Sequence, residues 1–585
     1  MEYRELAGVY EQLEATSKRL EKTWIVSRLL KRTEPENLSE MTLLLQGRVF
    51  PAWHEGKIGV AAKTVLKAVN LATGTGIDSI NSEWSRIGDL GKVAEKLVGN
   101  KKQATLFSGK LDVSKVYNNL RKLPELEGEG SIDQKIQLIA ELLTSAEPIE
   151  ARYIVRTVLE DLRVGVADGT LRDAITWACF EDEIGLNYDE KEKKISPDDR
   201  ERYNEYIDAV QAAYDVCNDF GVVADRAMKE GLTGLKQVGL EVGKPVKVML
   251  FQKAKDIDDA FERVGKPAAF EYKYDGFRLQ CHKKDNRIML FTRRLEDVTR
   301  QFPDVADYVV KNVEGDSFVL DAEAVGYDPK TGKYLPFQSI SQRIKRKYDI
   351  EGMAKRFPVE LNVFDILDLD NRSLMKEPYR KRRDILKGMV TEEPKKIVLA
   401  KQIITSDPYE AGKFYQESLD RGEEGVMAKN LEGIYKPGSR VGYGVKIKPV
   451  METLDVVIIG AEWGTGKRSG WLSSFSIACR DGDTGELLEI GKVGTGIKEL
   501  EGTGVTFEYL TNLLRPLITE EKAREVRIKP SVVIEVNYEE IQKSPTYSSG
   551  FALRFPRVIR IREDRMPEDA STLSTVEDLY YEQKK

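Results

Sequence analysis

At 585 residues the chain suits three or four domains of about 150 residues, each long enough to bury a core. Charged residues make up 32% and hydrophobic ones 41%, the balance of a globular protein, and no apolar run reaches the ~20 residues of a membrane-spanning helix. Four scattered cysteines (Cys179, Cys217, Cys281, Cys479) and two histidines (His54, His282) argue against a zinc module, a disulfide framework and His-triad chemistry, leaving Lys, Arg, Asp and Glu as the catalytic types. A net charge of -6 leaves nucleic-acid binding open, because phosphate contacts depend on local fields. Met1 to Arg32 reads as a charged amphipathic helix without the apolar core or cleavage site of a signal peptide, so a cytoplasmic location is expected.

Residues 1 to about 235 read as helical. Leu6, Val9, Tyr10, Leu13 and Leu20 recur at helical spacing, as do apolar residues in Ile136 to Leu143 and Ile154 to Leu162, and Ser39 is a candidate N-cap. Gly231 to Lys247 holds four glycines and Pro245 with little periodicity and reads as the linker. Beyond it the period becomes strand-like: Ala268 to Lys283, Arg287 to Thr292, Ser317 to Tyr327 and Val359 to Leu367. Helical segments interrupt near Pro378 to Met389 and Pro408 to Arg421, giving an α+β domain expected to have antiparallel sheets. Past Pro449 the runs Asp455 to Ala461, Phe475 to Cys479, Leu487 to Val493 and Val532 to Tyr538 suit a small five-stranded barrel with one strand unplaced. A last helix, with Asp569 or Ser571 near its cap, closes the chain. The expected division is 1–235, a linker at 236–246, 247–450 and 451–585.

The chemistry centres on Glu271-Tyr-Lys273-Tyr-Asp275-Gly276-Phe-Arg278. Taken alone, a lysine before an acid and a glycine is an ordinary solvated turn. The same holds piecewise downstream, for an arginine in Phe291-Thr-Arg293-Arg294, an acid ending the strand at Asp321-Ala322-Glu323 and an apolar Phe364 before Asp365. Further blocks are Glu423-Glu424-Gly425-Val426-Met427-Ala428-Lys429, Lys446-Ile447-Lys448-Pro449 and Arg562-Glu563-Asp564-Arg565. Chance is a poor account of six further blocks in this order. A lysine amine is inert while protonated, and nearby cations such as Lys446 and Lys448, on alternate positions of one strand, favour its neutral form. From Arg554 to Arg565 five arginines face two acids, a basic local run in an acidic chain.

In order and separation these blocks resemble the nucleotidyltransferase motifs shared by ATP-dependent DNA ligases, RNA ligases and mRNA capping enzymes, over about 340 residues from Pro245 onward. The resemblance implies that Lys273 attacks the α-phosphate of ATP and carries AMP, with Asp275 positioning groups around it. It places Glu271 at the adenine end, Arg278 near the ribose, Arg293 on phosphate and Phe364 stacked on adenine. Glu323 would serve ribose or metal, Glu424 would ligate Mg²⁺, and Arg440, Lys446 and Lys448 would hold the nucleotide. Two departures stand out: Ala322 where the family often has glycine, and Arg565 where it commonly has lysine.

The helical domain ahead of the lysine, around Leu162-Arg163-Val164-Gly165, resembles the DNA-binding domain of archaeal and eukaryotic replicative ligases, with Arg163 and Gly165 suited to phosphate backbone. The fold class this implies is an all-α DNA-binding domain, an α+β adenylation domain and an all-β OB-fold domain, together encircling nicked double-stranded DNA. Gln103, Leu106 and Phe107 fit a short sliding-clamp peptide, and a monomer is expected. The rival readings are an RNA or tRNA ligase of the same superfamily and a non-catalytic DNA-binding scaffold.

Overall fold

A computed structural model describes residues 1–54, 56, 58–100, 110–126, 128, 130–335, 340, 342–344, 349–438, 440–449, 452–464, 468, 470–499, 504–522 and 524–583. By residue contacts the chain forms two compact units: residues 1–411 with 427–446, and residues 412–426 with 447–585. No helix among the described residues is long and apolar enough to cross a membrane.

The first unit opens with helices. The segment expected as one amphipathic helix forms two, Tyr3–Ala15 and Arg19–Lys31, because Thr16 and Lys18 take extended backbone. The apolar stripe lands as its spacing predicts, with Leu6, Tyr10 and Leu13 fully buried. Ser39 is not the cap: it lies inside Leu38–Leu45, whose cap position is Asn37. The helices Ser131–Ser145, Pro148–Val158, Asp168–Phe180, Arg200–Cys217 and Phe220–Gln237 follow. A hairpin the sequence reading missed, Leu186–Asp189 with Lys194–Pro197, stacks Tyr188 on Trp24 at 4.7 Å.

The glycine-rich stretch is less loose than expected. The helix Phe220–Gln237 runs into it, kinked at Gly231 (φ 61°), a left-handed conformation that suits glycine. Beyond Gln237 the chain is irregular, yet Val242 and Met249 bury against Val319, Leu367 and Tyr435 in a small core of their own.

Two sheets follow. In one, Ile397–Leu399, Val359–Leu369, Phe318–Gly326, Phe277–Lys284 and Arg287–Thr292 lie side by side in that order. In the other the order is Gln402–Thr405, Ala268–Lys273, Gly425–Asn430, Arg440–Ile447 and Leu250–Lys253. The sheets are not wholly antiparallel: Ile397–Leu399 joins Val359–Leu369, and Leu250–Lys253 joins Arg440–Ile447, as parallel pairs. Each of these partners arrives through a long connection rather than a hairpin, which is what parallel pairing demands.

The second unit is strand-rich. Leu487–Val493, Leu472–Arg480, Leu454–Trp463, Glu525–Ile528 and Ile518–Lys522 form one sheet in that order, and Val533–Asn537 joins Leu454–Trp463 to Arg557–Ile561. Phe507, Leu510 and Leu514 of the helix Phe507–Leu514 are fully buried in its core. The pair Ile518–Lys522 and Glu525–Ile528 escaped the sequence reading because most of its side chains are charged and exposed. The last helix, Leu573–Glu582, is capped by Thr572, the residue after Ser571: the Thr572 hydroxyl accepts from the Thr575 N–H.

Candidate active site

Lys273 ends its strand half-buried, and the alternation of a strand puts Glu271 on the same side, about 7 Å back. The chain then turns through Tyr274, Asp275 and Gly276 into the strand Phe277–Lys284. A Cβ on Gly276 would stand 2.4 Å from the Ala324 carbonyl oxygen and 3.0 Å from Cγ of Glu323, so the approach of the two strands admits only glycine. Lys401 braces the same turn. Its N–H donates to the Tyr274 hydroxyl at 3.0 Å and its Nζ to the Tyr272 hydroxyl at 3.1 Å.

Glu271 is 2% exposed. Its Oε1 accepts from the Tyr379 hydroxyl and from Nε2 of Gln402 at 2.9 Å, and its Oε2 pairs with Lys429 Nζ at 2.5 Å. Gln402 is the residue directly opposite Glu271 on the neighbouring strand. Lys429 also lies 4.8 Å from the centre of the Phe364 ring, and Arg278 lies 5.3 Å from the same ring. A half-buried aromatic flanked by two cations thus neighbours a buried carboxylate. Burial pushes the Tyr379 hydroxyl pKa well up and the Glu271 charge adds to it, so this hydroxyl stays a donor.

Arg278 makes a two-pronged pair with Asp321, Nε to Oδ1 at 2.8 Å and Nη2 to Oδ2. Nη1 donates to the Met249 carbonyl at 2.9 Å and Nη2 to the Tyr435 hydroxyl at 3.3 Å. Burial works against its charge, but Asp321 and Tyr435 outweigh it and raise its pKa, so the guanidinium is a fixed cation. In strand register Arg278 faces Glu323, and Glu323 faces Asn362. Arg293 is exposed in the turn after Arg287–Thr292. Arg440 begins its strand opposite Leu250, and half-buried Lys446 lies opposite Lys253.

In the second unit Glu424 and Lys448 form an ion pair, their side chains 24% and 23% exposed. Gly425 beside them has φ +132°, and a Cβ there would stand 2.2 Å from the Ile447 carbonyl oxygen. The arginine-rich run is less basic than its composition implies. Arg560 pairs with Glu535 at 2.6 Å, Arg554 with Glu540 at 3.0 Å, and Arg562 with both Asp455 and Asp564 at 2.8 Å. Arg565 approaches Asp455 at 3.8 Å. Phe555, in left-handed backbone (φ 48°), is 67% exposed with the Arg554 guanidinium 5.4 Å from its ring centre.

In the helical region Arg163 stands on an exposed turn in left-handed backbone (φ 61°), paired with Asp161 at 2.6 Å and 3.7 Å from Asp89. Gly165 also has positive φ, and a Cβ there would stand 2.6 Å from Lys22 Nζ. Gln103, Leu106 and Phe107 lie outside the described residues.

The structure therefore brings Glu271, Arg278 and Phe364 together, with Glu323 opposite Arg278. Sequence reading gave no role to Tyr379, Gln402, Lys429, Asp321 or Tyr435, which complete these contacts. Lys429 and Asp321 stood inside the motif blocks; nothing in the chain marked the other three.

Comparisons with known proteins agree along the whole chain. Residues 2–176, 248–448 and 468–565 match the family models described as DNA ligase N terminus, ATP dependent DNA ligase domain and ATP dependent DNA ligase C terminal region. A DNA ligase of Nanoarchaeum equitans (strain Kin4-M) is 48% identical over 586 residues, 100% of this chain and 99% of its own. A DNA ligase of Thermococcus fumicolans is 43% identical over 99% of this chain and 98% of its own. The solved structure described as Pmar-Lig_Pre, at 16% identity and TM-score 0.54, shares the fold over 95% of this chain and 99% of its own.

Proposed function

The chain belongs to the ATP-dependent DNA ligase family, and from that premise we propose that it seals single-strand nicks in duplex DNA through AMP carried covalently on Lys273. The observation that carries the reading is the set Glu271, Phe364 and Arg278 gathered beside the strand that Lys273 ends. Such a group offers a base an aromatic face and a fixed hydrogen-bond acceptor, and offers a ribose or phosphate a fixed cation.

The Lys273 amine attacks the α-phosphorus of ATP, a phosphorus–nitrogen bond forms and pyrophosphate leaves. The AMP passes to the 5′-phosphate of the nick, and the 3′-hydroxyl then displaces AMP as the phosphodiester forms. In this reading Asp275 positions the lysine, Arg293, Arg440 and Lys446 hold phosphates, and Glu323 serves ribose or metal. Glu424 is a Mg²⁺ ligand, with Lys448 as the cation beside it. Among the described residues no three acidic, His or Cys side chains converge into a cage. A lone carboxylate such as Glu424 suits magnesium, which is held by one or two carboxylates together with substrate phosphates. Glu424 and Glu323 would hold the ion, which would supply charge neutralisation at the transferring phosphate.

The functional parts are residues 1–235 for DNA binding (with Arg163 and Gly165 on the phosphate backbone), 247–450 for adenylation and 451–585 as an OB-type domain. A cytoplasmic monomer, with Gln103, Leu106 and Phe107 offered to a sliding clamp, completes the reading.

The test is incubation with α-labelled ATP and Mg²⁺, wild type against Lys273→Ala, then addition of nicked DNA. Label on the wild type alone, discharged as AMP with a sealed strand, is expected. Label that nicked DNA leaves in place would move the substrate to RNA, and no label on the wild type would leave a scaffold.

A further inference from the structure

The segment that leads from the helices into the sheets is bound along both edges. Toward the strand Phe277–Lys284, the Gly243 N–H donates to Nδ1 of His282 at 3.1 Å. Val246 exchanges two hydrogen bonds with the Gln280 side chain, its N–H donating at 3.0 Å and its carbonyl accepting at 2.7 Å. The Met249 carbonyl accepts from Arg278, and its N–H donates to the Tyr435 hydroxyl at 3.1 Å. Alternate residues 278, 280 and 282 of one strand face thus grip residues 249, 246 and 243 in turn.

The intervening residues bind the other way. The Pro245 carbonyl accepts from Nδ2 of Asn218 at 2.6 Å, and the Lys247 N–H donates to the Asp215 carbonyl at 3.1 Å. The Lys247 ammonium lies 3.3 Å from Asp215 Oδ1, 3.5 Å from Asp168 Oδ2 and 4.0 Å from the centre of the Tyr214 ring. Buried Val242 and Met249 pin the segment underneath.

We infer that residues 243–249 are a fixed strap belonging to the nucleotide site, and that Gln280, Tyr435 and Lys247 position Arg278 through it. The inference rests on the proposed role of Arg278 in nucleotide binding. Arg278 has no freedom to choose its own rotamer: Asp321 holds one edge of the guanidinium, the strap holds Nη1, and Tyr435 bonds to Asp321, to Arg278 and to the strap at once. A shift of the helices that carry Asp215 and Asn218 therefore reaches the guanidinium through Lys247 and Pro245. These are positioning residues, and the strap makes the seating of the nucleotide depend on the helical region.

The full-length chain carrying Tyr435→Phe, Gln280→Met or Lys247→Met tests it, with labelling of Lys273 followed against ATP concentration. Binding of nicked DNA without nucleotide serves as control. Each variant is expected to raise KM for ATP about 3- to 10-fold, the worth of one net hydrogen bond, with kcat for labelling changed by less and nick binding unchanged. Amide hydrogen exchange over 243–249 should quicken in all three. Tyr435→Phe with Lys247→Met together should cost less than the two effects summed, because both act on one strap. Lys247→Met is decisive because it weakens only the tie to the helices, removing the ammonium's contacts with Asp215, Asp168 and Tyr214 and leaving the grip on Arg278 untouched. A labelled wild type with Lys247→Met at the wild-type KM overturns the strap alone. A wild type that takes no label overturns the ligase reading, and the strap's role toward Arg278 with it.

Discussion

Glu271 has both carboxylate oxygens committed, Oε1 to Tyr379 and Gln402 and Oε2 to Lys429, so removing one partner strands a charge away from water. Lys429→Met should cost about 3 kcal/mol of stability, the lower end for breaking a buried pair because two neutral donors remain. The denaturant midpoint reads this, and ATP-dependent labelling should fall with it, since the carboxylate is then free to turn. Gly276→Ala is a different kind of lesion. The added methyl meets the Ala324 carbonyl, which cannot step aside, so the turn behind Lys273 must move. A displacement of about 1 Å at a reacting group costs on the order of 100-fold; labelling of Lys273 should slow by that much, with a stability cost of about 1–3 kcal/mol from the overpacked turn. Of these residues the sequence showed Gly276 and Lys429 only as members of a motif. Gln402 was invisible, because its function comes from standing opposite Glu271 in register, and register depends on which strand ends up beside which.

The strand Phe277–Lys284 was legible as a strand and its partners were not. Its alternation is blurred because both faces are buried, one by the sheet's core and the other by the strap. Polar residues on the second face, Gln280 and His282, look solvent-facing in one dimension. The same burial makes a pH prediction. Burial lowers the His282 pKa from 6.5 to about 3, so the folded chain holds this ring neutral. Above pH 6.5 both states are neutral there and its contribution is fully present. As pH falls below 6.5 the unfolded chain takes a proton the folded one refuses, and stability drops by up to about 1.4 kcal/mol per pH unit until about pH 3. Between pH 6.5 and 5 this amounts to about 2 kcal/mol. Urea midpoints at pH 7 and pH 5 should converge in His282→Gln and separate in the wild type. Helix–helix packing offers a parallel case. Arg156, 2% exposed, joins Glu14 at 2.8 Å and Asp89 at 2.6 Å, tying the helices Tyr3–Ala15 and Pro148–Val158 to the N-cap of the helix Leu90–Gly99. Arg156→Met should cost about 3–5 kcal/mol by calorimetry or denaturant.

Across the whole molecule the net charge is -6, yet the proposed substrate is a polyanion. Binding must then come from local cations set against phosphates, and counterion release makes it steep in salt. Raising salt from 50 to 200 mM should weaken nick binding about a thousandfold for six or so phosphate contacts, while labelling of Lys273 by ATP changes little. A nick affinity flat in salt would remove phosphate contacts as its source. The broad division into helical, mixed and strand-rich regions was readable, because period and composition change where the architecture does. The two compact units were not, since long-range contacts leave no periodic trace. Their make-up bears on how the chain comes off the ribosome. Within the first, the strand Leu250–Lys253 closes its sheet by pairing with Arg440–Ile447, so it emerges long before its partner and must wait for it. Synthesis and folding are thus out of step over this stretch: a chain stopped before residue 440 carries an orphaned strand, and nascent chains of that length are where chaperone engagement and aggregation should peak.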